Sequence, residues 1–279
     1  MPTLAPKLPY THPFAGGYPY RGSQRLPSDP DALTYLAAVA AADGAPVEVG
    51  VAMAVDDFFR GVKADNTFSA IKAACLLCGA RTLAGALVPL VGTAPTNVAD
   101  GFVAGDYTRG GATPGLKGDG TSYLDSGRAD NADPQDDNHL SVFVTVTPTG
   151  ATQDFAGTAS ASAERVLRQN ADTDIAQFLN NDTNTGGTSG VPTAGTLFAT
   201  SRSSSSAYTV RLNGVNITRT SASTGVNALS AFIFCRNLNG SPFTFSQGTL
   251  AFYSIGEALD LEALENRVSA LVTAIGAAV

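Results

Sequence analysis

The chain has 279 residues, of which 44% are apolar and only 15% charged, below the quarter usual for a soluble domain. Gly, Ser, Thr, Asn and Ala fill the difference, as in all-β proteins with many tight turns, and the length suffices for one large domain or two small ones. A net charge of −7 excludes a general grip on nucleic-acid phosphates. Three cysteines argue against a disulfide scaffold and fit assembly in a reducing cytoplasm.

Residues 1–28 form a distinct arm. It holds prolines at 2, 6, 9, 13, 19 and 27, aromatic Tyr10, Phe14, Tyr18 and Tyr20, and the cations Lys7, Arg21 and Arg25, with no acid before Asp29. Proline at this density favours extended polyproline conformation, and the aromatics suit a groove on a partner better than solvent. The start Met1-Pro-Thr-Leu-Ala-Pro lacks the basic-then-apolar pattern of a signal peptide.

Helical signals follow. Asp29 is a good N-cap with Pro30 at the first helical position, and the pattern Leu33, Leu36, Ala37, Ala40 stops near Asp43-Gly44. A second helix from Pro46 buries Val47, Val51, Val55, Phe58 and Val62. A third is expected over Thr67–Gly79, with Phe68, Ile71, Cys75 and Cys78 on one face. Cys75 and Cys78 lack a second pair, and His12 and His139 lie far off in sequence, so a zinc site is not indicated. Both read as small buried residues.

From Ala86 the period becomes two. Strands are expected at Leu87–Val91, His139–Thr147, Phe155–Ala159, Arg165–Gln169, Ile175–Leu179 and Thr196–Arg202. Between the first two, Gly118-Asp-Gly-Thr-Ser-Tyr-Leu-Asp-Ser-Gly127 reads as turn, short strand, turn. The uncharged window Leu83–Ala99 is broken by Pro89 and Pro95 and is no transmembrane helix. Tyr208–Thr220 is a hairpin around Asn213-Gly214, the dipeptide that supplies positive φ at both turn positions. Further strands follow in Ala231–Pro242 and Thr249–Gly256, and Leu259–Ala277 closes the chain as an amphipathic helix. Short strands between turns every eight to twelve residues suggest a sandwich or jelly roll.

The run "LNG", "RNLNGSP", "AFYSIGEAL" and a terminal helix, together with "FSAIKAACLLCGARTLAGALVPLVG" and "GLKGDGTSYLDSG", resembles the laminin-G-like (concanavalin A-like) jelly rolls of tailed bacteriophage and phage-like particles. The resemblance covers most of residues 30–279 and leaves the arm uncovered. It implies a mainly β fold, a jelly-roll sandwich with an N-terminal helical block and one C-terminal helix. The expected organisation is an anchoring arm (1–28), a helical collar (29–82), the sandwich (83–256) and a terminal helix (257–279) packed on sandwich or collar. The setting it implies is the outer surface of a virion. There the chain is expected to be a non-enzymatic spike, fibre or receptor-binding subunit. It is anchored to other virion proteins through Tyr10, Phe14, Tyr18 and Tyr20, forms a homo-oligomer and binds host surface polysaccharide. A decoration protein that stabilises the particle without a glycan is the alternative, and a polysaccharide-degrading enzyme ranks third.

Candidate chemistry is sparse. Glycoside hydrolysis needs two carboxylates roughly 5 to 10 Å apart. Of five glutamates only Glu164 lies inside the expected sandwich, flanked by Ala163 and Arg165 rather than by a carboxylate. No Gly-x-Ser-x-Gly elbow or phosphate-binding Gly-Lys loop occurs, and two scattered histidines do not suggest a nucleophile–base pair. The densest acidic cluster, Asp130, Asp133, Asp136 and Asp137, offers oxygens of the kind calcium takes, and laminin-G-like domains often hold calcium at a loop rim. Asp and Asn equally favour turns without metal. A glycan site on a sandwich uses an aromatic platform with polar loop groups. Without tryptophan, the candidates are Tyr107, Tyr123, Tyr208 and Tyr253, with loop 180–190 and Ser203–Ser206 supplying amides and hydroxyls.

Overall fold

The computed structural model describes residues 25–98, 101–150, 152–161, 163–183 and 187–279; the arm aromatics Tyr10, Phe14, Tyr18 and Tyr20 lie outside them. The chain opens with α1 (Pro30–Asp43), α2 (Val49–Ala64), β1 (Ile71–Leu76), α3 (Leu83–Ala86), β2 (Pro89–Val91) and β3 (Thr96–Asn97). Then come β4 (Tyr107–Thr108), β5 (Gly115–Lys117), β6 (Leu124–Ala129), β7 (Asn138–Val146), β8 (Thr152–Ala159) and β9 (Glu164–Asn170). After these run β10 (Ile175–Asp182), β11 (Gly187–Ser189), β12 (Thr196–Arg202), β13 (Ala207–Leu212) and β14 (Val215–Thr220). The chain closes with β15 (Ser230–Ile233), β16 (Arg236–Leu238), β17 (Ser241–Phe243), β18 (Thr249–Gly256) and α4 (Leu261–Ala278).

The strands form a jelly-roll sandwich of two sheets. The first has the order β14-β13-β12-β7-β18-β1-β2, with β5 beside β18 and β4 beside β5; the second runs β11-β10-β9-β8-β15-β6-β3. Among the described residues, pairing is antiparallel except where β16 lies parallel to β8 and at the isolated bridge between Ile175 and Gly190. Between the sheets sits one core, including Cys75, Leu140, Val142, Phe155, Phe178, Phe198 and Tyr253. The helices make a third layer on the outside of the first sheet, and their core joins Tyr35, Phe58, Phe59, Leu264, Val268 and Ile275 to Phe143, Leu197 and Phe252. At roughly 1.5–3 kcal/mol per fully buried large apolar side chain, both cores contribute heavily to stability.

Local signals account for much of this. Asp29 caps α1 by accepting from Asp31 and Ala32 N–H at 3.0 and 3.2 Å, and Gly44 ends it at φ 65°. Asp260 caps α4 in the same way. Asn213 and Gly214 have φ 52° and 77° at the tip of the β13–β14 hairpin.

The segment expected as a third helix is instead the central strand β1, paired with β18 and β2. Ile71, Ala74 and Leu76 face the helical layer, while Ala73 and Cys75 face the inter-sheet core. A strand buried on both faces reads as an unbroken apolar run, which periodicity does not separate from a helix. The expected boundary at 82/83 therefore cuts through the first sheet: the helical layer is α1, α2 and α4, and the collar does not include 71–76.

Candidate functional site: a polar cleft beside an aromatic pair

At the end of the sandwich where β7 finishes, three segments meet. They are the exit of β5 (Lys117, Gly118, Asp119), the loop after β7 (Thr147, Pro148, Thr149) and the approach to β18 (Gln247), and they line a cleft of about 390 Å³. This is within the size range of small-ligand sites. Gly118 N–H donates to the Gly248 carbonyl at 2.8 Å. A Cβ at residue 118 would lie 2.0 Å from the Ser246 carbonyl oxygen, so only glycine lets the two segments run this close. Gln247 N–H is held by Gln153 Oε1 at 2.7 Å.

Asp119 organises the loop and has no capacity left for a ligand. Its carboxylate accepts from the backbone N–H groups of Thr121 and Ser122, both at 2.7 Å, and from their hydroxyls at 3.1 and 2.7 Å. Although burial acts to raise its pKa, these four donors bring it down to about 2. Lys117, Thr149 and Gln247 stand exposed around it.

The same two segments carry aromatics. Half-buried Tyr123 packs on Phe232 with ring centroids 4.5 Å apart and meets Phe245 edge-on at 6.2 Å. Nearby, Phe243 is 49% exposed and carries the Arg236 guanidinium 4.9 Å over its ring. Hydroxyl, amide and ammonium groups in a cleft, with aromatic residues on the same chain segments, suit a hydroxylated ligand.

Other sequence candidates gather at the opposite end of β7. Asn138 and Asn181 donate side-chain amides to one acceptor, the Gln135 carbonyl, at 2.9 and 3.0 Å. Arg202 donates to the carbonyls of Asn180, Ser204 and Ser221 at 2.8, 3.0 and 3.1 Å and lies 4.8 Å over the Tyr208 ring. The acidic loop, the Asn180–Asp182 turn and the serine run thus converge on one rim, where the side-chain oxygens of Asp136, Asn138, Asn180, Asn181 and Asp182 include buried acceptors without a hydrogen-bond donor. Tyr208 and Tyr253 are buried, and Tyr107 gives its hydroxyl to the Ala80 carbonyl at 2.9 Å.

The four acids expected as calcium ligands do not converge. Asp130 pairs with Arg165 at 2.9 Å, both fully buried, and Asp133 is held by Arg128 Nε at 3.1 Å. Asp137 accepts the Ala258 N–H at 2.7 Å, and Asp136 pairs with neither arginine. At Asp130 and Asp133 guanidinium groups occupy the place a cation would take. Among the described residues no group of three or more His, Cys, Asp or Glu is placed to hold a metal.

Two arrangements had no sequence signal. Asp182 is the direct cross-strand partner of Glu164, so Glu164 does have a carboxylate neighbour, and burial raises both pKa values. The pair lines neither this cleft nor the apolar one beside β2. His139 and Ser254 also meet, with Nε2 accepting from Ser254 Oγ at 2.9 Å and Nδ1–H donating to the Glu257 carbonyl at 2.6 Å. Both residues are wholly buried and the imidazole is pushed down to about 4 by burial, so this is a core contact. Cys75, Cys78 and Cys235 are buried free thiols, with Cys78 pushed up to about 12.

No protein-family model matches the sequence, and no curated protein matches it. Among solved structures, the chain is similar to a mutant Trypanosoma rangeli sialidase displaying trans-sialidase activity. The match has a TM-score of 0.50 at 11% identity and covers 79% of this chain and 39% of that one. Trypanosoma rangeli sialidase in complex with 2,3-difluoro-KDN gives 0.46 at 10% identity, covering 82% and 39%. The CBM40 of Ruminococcus gnavus IT-sialidase bound to alpha2,3 sialyllactose gives 0.39 at 12% identity, covering 56% and 99%. The chain spans about two fifths of the length of the Trypanosoma sialidases. At these identities the likeness is one of fold.

Proposed function

We propose that this is a non-enzymatic surface protein of a tailed phage or phage-like particle whose jelly roll binds a host surface glycan in the cleft between Lys117 and Gln247. The observation that carries the binding reading is the hydroxyl-, amide- and ammonium-lined cleft, whose bordering segments also bear Tyr123 and Phe245. The virion setting rests on the sequence resemblance and on the Pro/Tyr-rich composition of the arm. The same setting makes oligomeric assembly through the particle the working expectation. The enclosure of His139 and Ser254 supports a non-catalytic role.

A glycan array probed with the full-length protein tests the binding reading. Retention on a defined set of glycans, lost in Tyr123→Ala with Gln247→Ala, is the expected result. Silence at micromolar protein turns the assignment to decoration. An uncharged exposed face on α1, comprising Ala37, Ala38, Ala41 and Ala42, fits contact with a neighbouring subunit in that second reading. Removing residues 1–24 leaves Arg25 and its contact with Asp56 in place. The truncated chain is expected to fold and to lose its place on the particle, and normal assembly without the arm would refute anchoring.

A further inference from the structure

The cleft carries an electrostatic asymmetry, and we infer from it that the bound glycan is acidic, with a sugar carboxylate seated on Lys117; the inference rests on the glycan-binding reading above. Among the described residues, Lys117 is the one cationic side chain with neither an ion pair nor a hydrogen bond. The other described lysines, Lys63 and Lys72, are paired with acids. The arginines are bound to carboxylates, as at Asp56, Glu48, Asp130, Asp154, Glu265 and Asp65, or to hydroxyl and carbonyl oxygens, as are Arg60, Arg202 and Arg219.

The acid nearest in sequence, Asp119, forms no ion pair with Lys117: two N–H groups and two hydroxyls turn its carboxylate toward its own loop, although its negative charge remains on the cleft wall. The cleft therefore presents an ammonium whose partner is not supplied by the protein. Beside it stand the Gln247 side-chain amide and the Thr149 hydroxyl, whose donors complement the oxygens of a carboxylated sugar. The chain as a whole, at net −7, repels polyanions. Selectivity for an acidic glycan thus has to come from a local cation, which keeps adhesion to other polyanions weak.

The experiment compares acidic oligosaccharides with their carboxyl-reduced, neutral counterparts, using full-length protein in isothermal titration at two salt concentrations. Reduction of the carboxyl group is expected to weaken binding about tenfold, with the acidic form alone losing affinity in high salt. Lys117→Met is expected to abolish the difference between the two forms, and Lys117→Arg to retain it. Because Lys117 is exposed and unbonded, both variants are expected to keep the wild-type melting temperature. Equal affinity for the two forms, or a difference that survives Lys117→Met, overturns the acidic assignment while leaving glycan binding intact. Failure of both forms to bind overturns the glycan reading itself.

Discussion

Glu265 of α4 and Arg211 of β13 form a buried ion pair, with Nε donating to Oε2 at 2.6 Å, while Oε1 of the same carboxylate accepts the backbone N–H of Leu197 at 2.8 Å. One side chain thus ties the terminal helix to two strands of the first sheet. Its truncation leaves the Arg211 Nε–H without an acceptor, with only Asn216 and Glu262 still near the guanidinium, and Leu197 N–H unsatisfied. Glu265→Ala is expected to cost about 3–5 kcal/mol in denaturant unfolding. A loss below 1 kcal/mol would show that water replaces the carboxylate.

Arg165 plays a related part at the rim, where it stands between Asp130 and Asp133. Arg165→Met leaves Asp130 buried without its cation while Arg128 still holds Asp133, with an expected cost on the order of 3–5 kcal/mol. Added calcium is expected to restore part of that stability in the variant, because the cation then takes the guanidinium's place. In the unmodified protein, chelation is expected to leave the melting temperature unchanged. A fall on chelation would return a metal to the acidic loop.

Two buried groups impose opposite pH dependences. Burial pushes His139 down to about 4, against about 6.5 in an unfolded chain. Between these values the unfolded chain binds the extra proton, so stability is complete above pH 6.5 and about 3 kcal/mol is lost as pH falls to 4. Asp154 is raised by burial to about 7, although Arg168 Nε lies 2.5 Å from its carboxylate and lowers it in part. There the folded state holds the extra proton, and stability declines as pH rises from about 4 to 7. The two slopes largely cancel between pH 4 and 6.5. His139→Gln is expected to unmask a stability that falls with pH, and Asp154→Asn one that rises. Parallel profiles for the two variants would show that these groups do not titrate as described.

The parts of the fold readable from sequence are those set by local chemistry. Asp29, Asp260 and the Asn213-Gly214 turn each act within a few residues, and β7 alternates because Leu140, Val142 and Val144 face the inter-sheet core while the polar His139, Ser141 and Thr145 lie on its other face. β1 was not readable because both its faces are buried, so Ile71 and Cys75 show helical spacing by coincidence. The site was half readable. Asp119 and its following Gly-Thr-Ser announce a tight polar loop, and Tyr123 is an evident aromatic. Gln247, distant in sequence, joins them only through the pairing of β18 with β5, and Thr149 through the pairing of β7 with β18. The carboxylate pair Glu164 and Asp182 escaped for the same reason, since their juxtaposition depends on the register of β9 against β10 and on the irregularity at Asn181.

The close approach at Gly118 makes the cleft testable without touching a ligand-facing group. A methyl group there would lie 2.0 Å from the Ser246 carbonyl oxygen, which belongs to backbone and has no rotamer by which to move away. The segments bearing Lys117 and Gln247 must then part. Gly118→Ala is expected to cost about 1–3 kcal/mol and to lower glycan affinity at least tenfold, although Lys117, Thr149, Tyr123 and Gln247 all remain. Gly44→Ala is the matched control. It places a side chain at φ 65° with no atom within 4 Å, so it strains the backbone by about 1 kcal/mol on the helical layer, away from the cleft. Comparable affinity loss in both variants would mean that binding tracks global stability, whereas loss in Gly118→Ala alone locates recognition at the meeting of β5 and β18.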